Sequence, residues 1–274
     1  MLSINTNVGA MAALQSLNQT QQQLMQVQSA INSGLKVANA KDNGAVYAIA
    51  QNMRGNVAGY AAVSDSLNRG VSTVDVAISA GQSISDLLNE LKGKALAAAD
   101  TSLDTASRNA LNADFTALRD QITTIVQNAS FNGTNLVDGS SANFQALASA
   151  DGTKKITATS ENLALSGAIV TMNSTSSIST QSKASTMVST INSSIQNVNA
   201  ALAKLASGSK KFSIQATFVS KLVDTLNAGI GNLVDADMAV ESAKLQSLQV
   251  KQQLGVQALS IANSAPSITL SLFR

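Results

Sequence analysis

The stretch "AMAALQSLNQTQQQLMQVQSAINSGL", Ala10 to Leu35, decides how the chain is read. Ala10, Ala13, Leu17, Leu24, Val27 and Ile31 recur at alternating steps of three and four, with Thr20 the one polar member of the series. Sustained over this length, the spacing predicts one long helix with a narrow apolar seam that needs a helical partner. The rest of its surface is amide, hydroxyl or apolar, and no Asp, Glu, Lys or Arg occurs from Met1 to Leu35. Gly34 is a natural helix stop, and "NAKDNGA", Asn39 to Ala45, supplies turn chemistry.

The other end has the same character. In "QQLGVQALSIANSAPSITLSLFR", Gln252 to Arg274, no charge precedes the final Arg274. Val240, Ala243, Val250, Leu254 and Ile261 form a second heptad series, weakened by Ser247 and Gln257, that the first seam is expected to meet. The residues expected to carry the interface are Leu17, Leu24, Val27, Ile31, Val250, Leu254, Leu259 and Ile261. A two-helix seam leaves outward faces uncovered, and there Gln15, Gln22, Asn32, Gln252 and Ser260 stand in place of ions. Further copies of the chain would explain this, because amides pair across buried contacts without the desolvation penalty of charges. Ordering such ends costs about 1 to 2 kcal/mol per residue in backbone entropy, so they are expected to order on assembly.

Composition narrows the function further. Only 12% of the 274 residues are charged, about half the usual quarter, and they sit almost wholly between Lys36 and Lys251. With no Cys and no His, thiol and imidazole catalysis, common zinc sites and disulfides are excluded. A net charge of +2, no Trp and two Tyr offer no basic patch or stacking platform, so no nucleic-acid partner is expected. No apolar run approaches the roughly 18 to 20 residues of a membrane span, and the N-terminus lacks the basic and apolar regions of a secretory signal. Neither a membrane partner nor a cofactor is expected.

Between the ends, helical periodicity is predicted from about Val46 to Ala99, supported by Asp65 with Arg69 and Glu90 with Lys94. The cluster "ADTSLDTAS" breaks it, with Thr101 or Asp104 capping a helix to about 129 whose core stripe is Leu111, Phe115, Leu118, Ile122 and Ile125. Asn132-Gly133, Asp138-Gly139 and alternation around Ile156 and Ile169 predict one or two β-hairpins within 131–172, followed by a Ser/Thr-rich loop. Helix resumes near Lys183 with Met187, Ile191, Ile195, Val198, Leu202 and Leu205 inward. Breaks are expected at "SGSKK" and at "NAGIGN", 227–232, before a last helix from about Asp235. Asp237 and Glu241 could share a face as paired carboxylates, but charges at a helix N-terminus are explained more simply by its dipole. No nucleophile, base or metal set is legible, so no enzyme is expected and no catalytic residue is named.

Several strings resemble bacterial flagellin: "SINTN" from Ser3, "INSGLKVANAKDNGAVYAIAQNM" from Ile31, "FNG" from Phe131, and "LVDADMAVESAKLQSLQVKQQLGVQALSIANSAPSITLSLFR" from Leu233 to Arg274. The paired ends are specific, covering roughly the first 133 and last 90 residues. Where the family usually has "DDAAGLAIA", this chain has "KDNGAVYAIA", with Lys41, Asp42 and Asn43. The resemblance implies a mainly α fold, in which long antiparallel helices form a coiled-coil terminal domain and a helical-bundle inner domain carries a small β-hairpin insert. The implied organisation is an N-terminal filament-core helix, 1–43, pairing with a C-terminal one, 233–274; inner-domain helices, 44–130; hairpin and loop, 131–182; and a return helix, 183–232. It also implies a secreted, extracellular filament subunit with no outer variable domains. Its partners would be copies of itself, sister flagellins, the flagellar export apparatus, an export chaperone and the filament cap. A hook-filament junction protein or a surface adhesin with similar ends is the alternative.

One departure yields a test. Flagellins detected by the vertebrate innate immune receptor resemble one another in "LQRVREL", which aligns with "LNELKGK", Leu88 to Lys94. Glu90 reverses the first Arg's charge and Lys92 lacks the planar fork of the second. Receptor activation in reporter cells is expected to be weak or absent; a response matching an Arg-bearing flagellin would contradict this.

Overall fold

The computed structural model describes residues 6–140 and 142–271. The elements are α1 (Val8–Ser33), α2 (Gly44–Ala98), α3 (Thr105–Asn128), β1 (Ser130–Phe131), β2 (Thr134–Asn135), β3 (Phe144–Leu147), β4 (Lys155–Ala158), α4 (Gln181–Val234) and α5 (Met238–Ser271). The fold is mainly α, and the chain divides into two compact units: Met1–Gly55 with Thr225–Arg274, and Asn56–Asp224.

The second unit holds the large apolar core. Leu67, Val74, Ile84, Leu88 and Leu91 of α2, Phe115 and Ile122 of α3, and Ile191, Val198, Leu205 and Phe212 of α4 are all buried in it. Within each set the steps are three, four, seven or ten, the spacings that turn one helix face inward. Asp104 caps α3 by accepting a hydrogen bond from the Ser107 amide at 2.6 Å, which holds its carboxyl below the usual range. Arg108 closes the turn before it, donating from Nε to the Ala98 carbonyl and from Nη2 to those of Asp100 and Leu103.

Two separate antiparallel hairpins follow, β1 with β2 around Asn132-Gly133 and β3 with β4. Ile156 lies in β4, but Ile169 falls outside the strands, beside a single bridge between Leu165 and Val170. The Ser/Thr-rich segment is pinned down: Arg119, buried on α3, donates from Nη1 to the Ser176 carbonyl at 2.7 Å while Asp120 neutralises it. Asn112 accepts from the Ile178 amide.

Two expectations fail here. Helix α4 runs unbroken through both "SGSKK" and "NAGIGN". A helical glycine costs about 1 kcal/mol against alanine, and packing explains why these are tolerated. A Cβ on Gly208 would stand 3.3 Å from the Ala158 Cβ of β4, and one on Gly229 would stand 3.0 Å from the Met53 terminal methyl. They mark close approach rather than helix ends. The expected Glu90–Lys94 pairing is also replaced, since Lys94 Nζ reaches Asp114 of α3 at 2.7 Å, and that hydrogen bond raises the Lys94 pKa. Asp65 and Arg69 stay exposed, with no ion pair between them among the described residues.

Phe212 is fully buried and meets the Phe144 ring edge-on, with centroids 6.0 Å apart. Phe212→Ala removes both the burial and this contact, and is expected to cost about 3 to 5 kcal/mol of this unit's stability. Denaturant unfolding checks this; a loss under about 1 kcal/mol would contradict the packing described.

Candidate assembly interface

The first unit is built on α1 and α5. Asn7 starts α1 twice over: its Oδ1 accepts from the Ala10 amide at 3.0 Å, and its Nδ2 donates to the Ala262 carbonyl near the far end of α5. Further along α1, Leu17 faces Gly255, and Leu24 and Val27 bury themselves with Leu248, flanked by Ile31 and Leu245. Partner numbers fall on α5 as they rise on α1, so the two helices are antiparallel.

On α1 the seam follows the sequence spacing. Ala10, Ala13, Leu17, Thr20, Leu24, Val27 and Ile31 are all buried or half-buried. Thr20 needs no cross-helix partner, because its hydroxyl donates to the Ser16 carbonyl of its own helix.

On α5 the expected series is displaced. The positions turned toward α1 are Glu241, Leu245, Leu248, Gln252, Gly255, Leu259 and Ala262, again at steps of four and three and all buried or half-buried. Gly255 allows contact there, since a Cβ would lie 3.2 Å from the Leu17 Cδ1. Gln252 therefore belongs to the inner seam rather than to an outward face. Of the interface residues read from sequence, Leu17, Leu24, Val27, Ile31 and Leu259 lie on the α1–α5 seam. Val250, Leu254 and Ile261 do not: they are 54%, 59% and 68% exposed. With Val240, also exposed, they form a second ridge roughly two-fifths of a turn round the same helix. The sequence misleads because this ridge carries more β-branched and aliphatic weight than an inner seam containing Glu241, Gln252 and Gly255. The close opposition of Gly255 and Leu17 is the signal that sets the register.

Exposed apolar side chains continue on α1, where Val8, Met11, Leu14 and Met25 face outward. Around them Gln15, Gln22 and Asn32 are exposed, as is Ser260 on α5. No charged side chain occurs on α1.

The two turns of this unit fasten to each other. Gly34, in the left-handed region at φ 72°, ends α1, and its carbonyl accepts from the Ala236 amide at 2.9 Å. Lys36 and Val37 donate from their amides to the Val234 carbonyl, and Lys36 Nζ donates to the Asn232 carbonyl. The ammonium thus sits at the negative C-terminal end of α4. In the "KDNGAVYAIA" stretch, Asp42 accepts from the amides of Ala38 and Asn39, and Asn43 Oδ1 accepts from the Val46 amide at the start of α2. Asn43 thus supplies the cap. At the start of α5, Asp237 accepts from the Ala239 and Val240 amides, and Glu241 pairs with Lys244 at 2.6 Å. The two carboxylates are engaged with the helix N-terminus and a lysine rather than with each other. No helix among the described residues is long and apolar enough to cross a membrane.

Comparison with known proteins accords with this construction. The bacterial flagellin N-terminal helical region matches residues 4–142, and the bacterial flagellin C-terminal helical region matches 188–273. Flagellin FljM of Caulobacter vibrioides is 54% identical over 272 residues, covering 99% of this chain and 98% of that one. A flagellin of Brucella melitensis is 34% identical over the whole of both chains. A Vibrio parahaemolyticus protein described as flagellar hook-associated shares the fold alone, with a TM-score of 0.59 at 12% identity over 71% of this chain and all of the other. The long identity lies with the filament proteins, which disfavours the junction and adhesin readings. The chain therefore belongs to the flagellin family, the structural subunits that polymerise into the bacterial flagellar filament and serve swimming motility.

Proposed function

We propose that this chain enters the filament through the second ridge of α5, Val240, Val250, Leu254 and Ile261, together with the outward apolar face of α1. In this reading Leu17, Leu24, Val27, Ile31 and Leu259 hold the α1–α5 pair together within one subunit, while Val250, Leu254 and Ile261 seat against neighbouring copies. The observation that carries it is the second ridge: the aliphatic positions of a heptad series, interrupted by Ser247 and Gln257, left in water on a helix whose other series is already satisfied. Helices with two such ridges pack in multi-helix arrays rather than in pairs. The uncharged amides around the ridge fit the same setting, since they hydrogen-bond across buried contacts at little desolvation cost.

The family relationship supports the remaining partners. Subunits are exported through the flagellar export apparatus, accompanied by an export chaperone, and added beneath the filament cap outside the cell. Sister flagellins co-assemble where they present the same two terminal helices.

Leu254→Ala tests the ridge. In the single chain Leu254 is exposed, so the melting curve of the folded body should hardly move. In the filament the truncation should cost about 2 to 5 kcal/mol per subunit, and about 2.8 kcal/mol raises the critical concentration a hundredfold. Leu254→Glu should be worse, because the charge is buried without a partner. Residual monomer after seeded assembly is the readout. An unchanged critical concentration would remove Leu254 from the interface.

A further inference from the structure

Methionines are distributed unevenly over the described residues. Met172 is fully buried in the second unit, and Met53 and Met187 are half-buried. Met11 and Met25 of α1, by contrast, are 67% and 59% exposed, and Met238, at the first turn of α5, is 44% exposed and stands apart from them. Met11 and Met25 are fourteen residues apart, which is two heptads, and so lie on one line along the helix about 21 Å apart, immediately beside the seam positions Ala10 and Leu24. Met11 borders a shallow groove whose other walls include Val8, Leu14, Gln15, Asn18 and Gln19. No ion on α1 competes for this surface.

From this placement we propose that Met11 and Met25 are an oxidation-sensitive modification site that governs addition of the subunit to the filament. The inference rests on the reading that the outward face of α1 is buried by neighbouring copies. The reactant is a hydroperoxide, hydrogen peroxide being the simplest. With hydrogen peroxide the thioether sulfur attacks one oxygen, an S–O bond forms as the O–O bond breaks, sulfur loses two electrons to become the sulfoxide, and the proton of the transferred oxygen passes to the departing hydroxide, which leaves as water. The product exchanges a soft apolar surface for a strong S–O dipole. In the free chain that dipole is solvated and harmless. On a face that must be desolvated it lacks the partners that water supplied, so the oxidised subunit is disfavoured in the polymer and not in the monomer. Two such groups on one line act on the same contact. Conversely, subunits already in the filament are shielded from the reagent. The lesion is reversible, because sulfoxide reductases regenerate the thioether.

The experiment uses the full-length chain. Purified monomer is treated with hydrogen peroxide until peptide mass mapping finds Met11 and Met25 as sulfoxides with Met172 untouched, and is then added to filament seeds. The critical concentration is expected to rise about tenfold or more, with an unchanged melting curve, and to return after treatment with methionine sulfoxide reductases. A Met11→Leu, Met25→Leu double variant should lose the peroxide sensitivity. Preformed filaments should show little oxidation at either position under the same exposure. Oxidised monomer that polymerises like untreated protein, reductase treatment that restores nothing, or equal peroxide sensitivity in the double variant would each overturn the inference. If assembly resists oxidation while Leu254→Ala still impairs it, only this inference fails; if both leave assembly untouched, the outward-face reading fails with it.

Discussion

Everything in the first unit depends on one narrow contact, the antiparallel seam between two helices that carry almost no charge. Three side chains, Leu24, Val27 and Leu248, make up its buried part. Helices α1 and α5 together hold 26 and 34 residues, each of which gives up backbone entropy on ordering. A seam of that size sets register and direction, but it is too slight to hold both helices permanently on its own. The exposed ridge on α5 and the apolar positions on α1 are the surface from which the remaining stabilisation is drawn. Charge is absent from α1 and confined on α5 to its first half, where Glu241, Lys244 and Lys251 lie, for the same reason, since an ion without a partner would oppose every contact that buries it.

The second unit follows a different logic. Its core draws on α2, α3 and α4 at once, and its polar groups are locally satisfied. Asn135 donates to the Val126 carbonyl, and buried Ser194 bonds Thr171. Buried Glu161 pairs with Lys204, whose stem remains exposed. No buried side-chain nitrogen or oxygen among the described residues lacks a hydrogen bond. Such a body needs no neighbours to hold its fold. The division of charge along the sequence therefore reflects a division of labour, with ions where the surface meets water and amides where it meets protein.

Much of this was legible from the residues. The seam on α1, a cap for α3 at Thr101 or Asp104, the hairpin at Asn132-Gly133 and the inward stripe of α4 from Met187 to Leu205 all follow from spacing and turn chemistry, because each is a local effect, and the structure selects Asp104. Three features were not. The register of α5 depends on which of two heptad series meets α1, and a glycine opposite Leu17 decides that, not hydrophobicity. The continuity of α4 depends on Ala158 and Met53 lying close to Gly208 and Gly229, residues distant in sequence. Arg119 sits among core positions because its guanidinium has a carbonyl and a carboxylate to bond, and nothing at its own position announces them.

The central claim is that the terminal helices become stable only when copies meet. Hydrogen exchange on verified monomer and on filament, resolved along the chain, tests it most directly. In the monomer, amides of residues 8–33 and 238–271 should exchange quickly while those between about 56 and 224 are protected; in the filament both ends should become slow. Strong protection of both ends in the monomer would contradict the account, because the seam alone would then suffice to hold them.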